Sequence, residues 1–503
     1  MRLTELVKAL PAFYAKDTLF DFEVSGISRN SKEVGNGFLF VAVKGNQIDG
    51  HTFIREAIER GAQAIIFDTY GAGGLQGQGV GPSFDSASPE GRGVNWIKVD
   101  NSRKALALLA AEFYGRPGDK MKVCGITGTN GKTTISYLLE AIVKKAGLVP
   151  GVIGTLNYRF GERVYPSVNT TPGPLELQRL FCEMQQAKVD YAIMEVSSHA
   201  LSQDRVTGLE FHSAIFTNLT QDHLDYHKTL EGYFQAKAGL FKNLKRGALA
   251  VFNNDDKYSL RLKDTVDLPS SITYGVENSA DVRATEIKYG LKETVFSLGY
   301  PKGSLVLHSK LIGRHNVYNL LAAFSWGLKS GFGLGELKSG LEGLSSVPGR
   351  LERIDNDRGL YVFVDYAHTE DALYNAVMSL REVSCGKIIV VFGCGGQRDR
   401  EKRPKMGRVV SELADYAVIT NDNPRSDDPQ DIVNDILTGI KKDNYCVILD
   451  RREAISHAFS LAKAGDVVLI AGKGHEDYQL MQEKKVHFDD REVARECLKS
   501  VKY

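Results

Sequence analysis

Cysteine is scarce in this chain: six residues among 503, at Cys124, Cys182, Cys385, Cys394, Cys446 and Cys497, with no two in C-x-x-C spacing. That scatter excludes a disulfide framework and a cysteine-built zinc site, and it fits a reducing cytosol. Excess charge is missing too, since 63 Lys and Arg against 62 Asp and Glu leave a net charge of +1. Such balance gives no electrostatic argument for nucleic acid or an anionic membrane as partner. A long apolar run is absent from the opening stretch MRLTELVKALPAFYAKDTLF, which charges interrupt, so neither a signal peptide nor a membrane anchor is expected. No internal repeat or low-complexity tract stands out.

What the chain does have is length and an alternation of strand-like and helix-like patterns. At 503 residues it should hold about three domains, each able to bury a core. Residues 1 to 115 read as mixed α/β, with FLFVAV (Phe38 to Val43) and AQAIIF (Ala62 to Phe67) as buried strands around a helical His51 to Arg60. Gly71 to Gly93, rich in Gly and Ser, reads as a flexible surface insertion. Residues 116 to 345 alternate strands, among them AIMEV (Ala192 to Val196) and SAIFTNL (Ser213 to Leu219), with helices, as a mainly parallel sheet requires. A stretch near 270 to 312 is richer in short strands, and Asn316 to Leu328 reads as a helix. The Pro-Gly break in SVPGRLERI (Ser346 to Ile354) opens a third region, 346 to 503, whose apolar strands each end in polar or Gly-rich residues. In an open α/β sheet those ends gather on one ligand-binding edge.

The segment MKVCGITGTNGKTT (Met121 to Thr134) carries the strongest chemistry. A short apolar strand runs into a turn with Gly128 and Gly131, and beyond it Ile135, Leu138, Leu139, Ile142 and Val143 recur at helical spacing until Gly147. A turn of this kind, Gly128 through Thr129, Asn130 and Gly131, brings backbone N–H groups to an anion at the positive end of a helix. Lys132 is placed to bridge phosphate oxygens and the Thr133 hydroxyl, followed by Thr134, to meet magnesium. The strict G-x-x-x-x-G-K-[ST] pattern is departed from once, because Ile126 stands where the first Gly belongs.

Glu195 ends a strand beside this loop and is placed to hold magnesium directly or through water. The run Thr217 to His227, TNLTQDHLDYH, is either a solvated loop or, through His223, part of a divalent metal site. Arg398, Arg400 and Arg403 follow the Gly-rich end of one strand, and Arg425 follows Asp422-Asn423-Pro424 at the next, an arrangement suited to an acidic substrate group. Glu476, in Gly472-Lys473-Gly474-His475-Glu476, is suited to an ammonium. An anion clamp and a cation clamp on one edge are what a zwitterionic amino acid needs.

Taken together, these motifs resemble the Mur ligase family over nearly the whole chain: Ser31 with GFLFVAVKG, then GTNGKTT, NTTPGP, MEVSSHALSQDRV, DHLDYH, the Ala236-Lys237 context, GRHNVYN, PGRLE, DYAHTEDAL, GCGGQRDREKRP, DNPRSDDP and AGKGHEDYQ. The resemblance implies an N-terminal mixed α/β domain (1 to 115) holding the UDP end of a nucleotide sugar, a central P-loop ATPase domain (116 to 345), and a C-terminal Rossmann-like domain (346 to 503) holding the incoming amino acid. It assigns Ser31, Asn46, Gln47 and Ile48 to the uridine and diphosphate, and Asn169, Thr170, Thr171, Ser197, Gln203 and Arg205 to the muramoyl-peptide end. ATP falls to Gly128 through Thr134, with Asn316 as adenine contact and Asp365 and His368 beside the nucleotide. Lys132, Glu195, His223 and Lys237 become catalytic residues. Mg2+ falls to Thr133, Glu195, His223 and Lys237, the last as a carbamate formed with carbon dioxide. On its own residues Lys237 reads as a solvated helix position; a free ammonium, with a reference pKa of about 10.4, would bring positive charge to a metal site, whereas a carbamate is an anionic oxygen ligand.

The resemblance further implies an ATP-dependent, ADP-forming amide ligase of cytoplasmic peptidoglycan precursor synthesis; a monomer is expected. The D-Glu carboxylate of UDP-MurNAc-L-Ala-D-Glu would attack the γ-phosphate of ATP, and an amino acid's amine would displace phosphate from the acyl phosphate. Closure of the domains would keep water out. DNPR resembles the enzymes that add meso-2,6-diaminopimelate, so Arg398, Asp422, Asn423, Pro424, Arg425, Gly472 and Glu476 are its expected contacts. Two other readings stay open: the same ligase taking L-lysine, and a P-loop ATPase switch that drives a protein partner.

Overall fold

The computed structural model describes all residues except 16–17, 46–47, 69–92, 267, 269, 483 and 501–503. The expected insertion at 71 to 93 lies, but for Gly93, outside the described residues, as do Asn46 and Gln47. Two compact units divide the chain: one is Met1–Lys132, Gly147–Phe252 and Asp256–Ser271, the other Thr133–Ala146, Asn253–Asp255 and Ile272–Tyr503.

In the first unit, strands Gly26–Ser28, Phe38–Val41, Ala62–Phe67 and Asn95–Lys98 pair in parallel, and Tyr14–Ala15 adds an antiparallel edge. Strands covered on both faces read as continuous apolar runs, because successive side chains point to opposite sides and both must be apolar. Leu39, Val41, Ala64, Ile66 and Ile97 thus share a core with Leu106 and Leu109 of helix Ser102–Phe113, while Phe40, Ile65 and Phe67 turn to the other face with Ala57.

The same unit holds a second parallel array in the order Leu244–Asn253, Phe211–Phe216, Lys122–Thr127, Tyr191–Glu195 and Pro150–Ile153, extended by the antiparallel pair Asn157–Phe160 and Arg163–Pro166. Lys122–Thr127 is central. From it the chain first crosses to Pro150–Ile153 on one side and later to Phe211–Phe216 on the other, so its carboxyl end opens into the crevice where such sheets bind ligands. Pairing of Ile126 with both Glu195 and Ile215 brings three strand ends level. The missing first Gly of the phosphate loop is thereby explained: Ile126 is fully buried inside the strand, and the turn begins two residues later.

In the second unit, helix Lys132–Lys145 is represented from Thr133 onward, beside helices Arg314–Lys329 and Leu334–Gly343. Gly340 lies so close to the Ile142 backbone that a Cβ there would come within 2.9 Å of Ile142 Cα. Strands Val282–Lys288, Thr294–Tyr300 and Gly303–Ser309 form an antiparallel meander. The C-terminal sheet runs Glu352–Ile354, Tyr361–Asp365, Val467–Ala471, Ile388–Phe392, Tyr416–Ile419 and Tyr445–Val447, parallel except for its first member. Its two faces bury separate clusters, one around Val390 and Leu469, the other around Val391 and Ile470. Among the described residues no helix is long and apolar enough to cross a membrane.

Phe211 is fully buried against the phosphate-loop strand, with its ring where a Cβ on Gly125 would fall. Phe211→Ala is therefore expected to cost about 3–5 kcal/mol, read as a clear drop in the calorimetric melting temperature.

Candidate functional site

Gly128 and Gly131 adopt φ of 143° and 92°, which side chains rarely permit. A Cβ on Gly128 would lie 1.8 Å from Thr217 Oγ1. Close approach is used for bonding: Thr217 Oγ1 donates to Asn130 O at 2.6 Å, Thr129 N donates to Asn218 O at 2.8 Å, and Asn130 N donates to Asn218 Oδ1 at 3.0 Å. Thr220 N adds a bond to Thr129 Oγ1. The first part of the Thr217 to His227 run, Thr217 to Thr220, is therefore the brace of the phosphate loop. Its signal in the sequence was the polar Thr-Asn pair at a strand end. Lys132 Nζ curls back on the turn, donating to Gly128 O at 2.9 Å and Thr129 O at 2.8 Å, in the mouth where phosphates would compete for it.

Lys237 is not a solvated helix residue. It lies on helix Leu230–Lys242, is 1% exposed, and donates to Gly128 O at 2.7 Å with its Nζ 4.4 Å from the Tyr233 ring centroid. Burial above all, then the nearby Lys132 charge, holds its amine well below the usual lysine range. Amphipathic spacing did not reveal this, because the helix turns its Tyr233, Phe234 and Lys237 side inward together.

Glu195 is 1% exposed, and both its oxygens accept from Thr155, Oε1 from the backbone N at 3.0 Å and Oε2 from Oγ1 at 2.9 Å. Gly154 makes room, since a Cβ there would stand 2.3 Å from Oε1. Thr155 was not singled out by sequence; the Gly-Thr pair ending Pro150–Ile153 was its signal. The expected peptide-end residues gather around this carboxylate. Thr155 Oγ1 lies 3.1 Å from Thr170 Oγ1, Thr171 Oγ1 donates to Glu195 O, Ser197 N donates to Thr171 Oγ1, and Arg205 donates to Thr171 O and to Gln203 Oε1. Asn169 O accepts from Tyr158 at 2.6 Å. Burial lowers the Arg205 guanidinium from its ordinary value.

His223, in left-handed backbone at φ 52°, faces Asp222 at 3.4 Å and packs edge-on against His199, whose ring also meets Tyr226 and His227. His227 Nε2 is 2.9 Å from Ser198 Oγ. Among the described residues no three His, Cys, Asp or Glu side chains converge to hold a metal ion. That still fits magnesium, which is commonly held by one or two carboxylates together with substrate phosphates rather than by a protein cage.

Elsewhere in this unit Ser31 Oγ donates to Glu56 Oε2 at 2.7 Å, and Ile48 is exposed. In the other unit Asn316 is buried with its amide engaged, Nδ2 donating to Ile312 O and Oδ1 accepting from Asn319. Asp365 accepts from Leu351 N and Ala367 N, and His368 Nδ1 lies 2.9 Å from Tyr366 O.

At the C-terminal sheet edge Arg425 sits in left-handed backbone at φ 54°, its N donating to Leu480 O and its O accepting from Gln482 N, so the hairpin Tyr478–His487 carries it. Its Nη1 donates to Gly396 O at 2.8 Å. Gly396 and Gly472 are required by space: a Cβ would fall 1.9 Å from Pro424 O in one and 2.7 Å from Asp422 Oδ2 in the other. Asn423 Nδ2 donates to Glu476 Oε2 at 2.8 Å, and the fully buried Lys473 donates to the same oxygen at 3.0 Å and to Asn423 Oδ1 at 3.3 Å. The Asp422–Arg425 turn and Glu476 are thereby one connected structure. Arg398 is exposed at the rim. Arg400 and Arg403, read from sequence as members of the anion clamp, are instead committed to Asp435, and Arg403 also to Asp427.

A phosphate loop on one sheet, with Arg425 and Glu476 at the edge of another, fits an ATP-using enzyme of the ligase type. The chain belongs to the Mur ligase family: the family's catalytic-domain model matches residues 23–114, its middle-domain model 126–327 and its glutamate-ligase-domain model 349–474, a three-domain α/β chain. It is similar to the UDP-N-acetylmuramoyl-L-alanyl-D-glutamate--2,6-diaminopimelate ligases of Clostridium tetani (strain Massachusetts / E88), 41% identical over all of both chains, and of Clostridium botulinum (strain ATCC 19397 / Type A), 42% identical over all of both. A solved structure of a ligase with that same name is 33% identical, covers 94% of each chain and superposes with a TM-score of 0.67.

Removing the Thr217 brace should loosen the phosphate loop alone. Thr217→Val is expected to raise KM for ATP about fivefold to tenfold, the worth of one lost hydrogen bond, with binding of the nucleotide sugar unchanged by calorimetry.

Proposed function

We propose that this chain is the ATP-dependent ligase that joins meso-2,6-diaminopimelate to the D-Glu carboxylate of UDP-MurNAc-L-Ala-D-Glu, forming an amide in peptidoglycan precursor synthesis. One observation carries the reading: Glu476, the cation clamp, accepts from Asn423 and Lys473, and Arg425, the anion clamp, donates to Asn423 O at 3.3 Å, so both stand on one edge in a chain that also has a braced phosphate loop. Diaminopimelate carries one more carboxylate than lysine, and a rigid Arg fork matches a carboxylate bidentately. The names of the two clostridial relatives support the same choice.

In the reaction, the D-Glu carboxylate attacks the γ-phosphate of ATP and ADP departs. The diaminopimelate amine then adds to the acyl phosphate, and phosphate leaves from the tetrahedral intermediate. Lys132, released from Gly128 O and Thr129 O when phosphates arrive, neutralises charge that grows on their oxygens. Thr171, Ser197, Gln203 and Arg205 orient the peptide end beside Glu195, while Ser31, Asn46, Gln47 and Ile48 take the UDP end. Asn316, Asp365 and His368 take the adenosine end, Asn316 by exchanging an internal bond for the base. Arg398, Asp422, Pro424 and Gly472 complete the amino-acid site.

Magnesium, when bound, supplies electrostatic stabilisation of the transferring phosphoryl group. Glu195, Thr133, His223 and Lys237 would hold it, Lys237 as a carbamate formed with carbon dioxide at its buried amine. The three domains divide at 115/116 and 345/346, and the enzyme works in the cytoplasm as a monomer.

With UDP-MurNAc-L-Ala-D-Glu and ATP, the purified protein should release phosphate when given diaminopimelate; release with L-lysine alone would overturn the assignment. Arg425→Ala should raise KM for diaminopimelate at least about tenfold, as loss of a charge-assisted pair does, with KM for ATP held. Incubation with 13C-labelled bicarbonate should give a carbamate resonance that Lys237→Ala lacks.

A further inference from the structure

Outside the residues already assigned, the C-terminal sheet contains a fully buried ion pair. Arg451 begins helix Arg451–Leu461 and Asp490 begins helix Asp490–Ser500; both side chains are 0% exposed. Arg451 Nε donates to Asp490 Oδ1 at 2.7 Å and Nη2 to Oδ2 at 2.6 Å. The far side of the same guanidinium reaches the sheet, with Nη1 donating to Asn421 O at 3.2 Å and Nη2 to Ala471 O at 2.9 Å.

Those two carbonyls occupy telling places. Asn421 directly precedes Asp422-Asn423-Pro424-Arg425, and Ala471 directly precedes Gly472 to Glu476. The strands they follow are not neighbours, because Ile388–Phe392 lies between them. Arg451 therefore spans the middle strand and fastens the root of the anion clamp to the root of the cation clamp. Arg alone matches this geometry, since its planar fork with five donors serves a carboxylate on one side and two separated carbonyls on the other, whereas a Lys ammonium is a point donor. Asp490 holds the fork in plane and compensates its buried charge, which unpaired would be strongly unfavourable.

We propose that Arg451 and Asp490 are a positioning pair that sets the distance between the Arg425 and Glu476 clamps, and so the selection of an amino acid with charged groups at both ends. The pair touches no substrate. It acts through the two loops it anchors, and the C-terminal helix thereby governs specificity at the sheet edge. This inference rests on the function proposed above.

Arg451→Lys and Asp490→Asn are to be assayed by phosphate release with diaminopimelate and with L-lysine, alongside wild type. The expected result is a KM for diaminopimelate raised about tenfold or more, the scale of a small misplacement of binding groups, with KM for ATP and for the nucleotide sugar within about twofold of wild type. The preference for diaminopimelate over lysine, as the ratio of kcat/KM values, should fall in parallel. If either single variant fails to fold, the double variant Arg451→Met/Asp490→Leu removes both charges together, a change that buried pairs often tolerate. A folded variant with unchanged KM for diaminopimelate, or with KM for diaminopimelate and ATP rising equally, would overturn the proposal, and so would failure of all three to fold. Wild type that is inactive with diaminopimelate would instead overturn the proposed function.

Discussion

The close passage of Gly128 against Thr217 is the contact on which the nucleotide end of this protein depends. Two strand ends come level because Lys122–Thr127 and Phe211–Phe216 pair in parallel, and there the backbone must turn within van der Waals reach of its neighbour. Glycine permits the turn, and the Thr217, Asn218 and Thr220 bonds hold it open in one shape. The turn held in that shape leads into a helix start, whose positive end favours an anion. Lys237 is tied to the same turn through Gly128 O, so the residue proposed to carry the carbamate and the residue that meets phosphate share one scaffold.

The C-terminal sheet edge repeats that logic with different parts. Glycines at 393 and 396 let loops pack backbone against backbone at the C-terminal edge, and Gly472 makes room for the Asp422 carboxylate. Charges are then sorted by burial. Arg403 and Arg451 are consumed internally by carboxylates, and Arg425 is presented by a hairpin that grips its backbone on both sides. Arginines of similar appearance in the chain thus have different duties, and their partners decide which is which.

Much of this architecture was legible before any coordinate. The phosphate-loop strand and its helix, the buried strands at 38 and 62, and the C-terminal strands Tyr361–Asp365, Ile388–Phe392, Tyr416–Ile419 and Val467–Ala471 were readable from apolar pattern, since each of these patterns lies within one element. Arg425 and Glu476 were recognisable by their place after apolar runs. Lys237 was not, because its burial depends on Gly128, 109 residues away, and on a tyrosine one helical turn back. Thr155 escaped notice for the same reason: its whole role lies in a carboxylate 40 residues downstream.

By itself, then, the sequence determined where strands, helices and turns fall, that a phosphate loop is present, and which family's motifs run through the chain. Short-range steric and hydrophobic rules act on neighbours in the chain, so a string of residues suffices to apply them. Tertiary structure decided which polar groups are spent and which are available: Arg403 and Arg451 internal, Arg398 at the rim, Lys237 buried beneath the phosphate loop. Hydrogen bonds and desolvation depend on distances between residues far apart in the chain, and those distances exist only once the sheets have assembled.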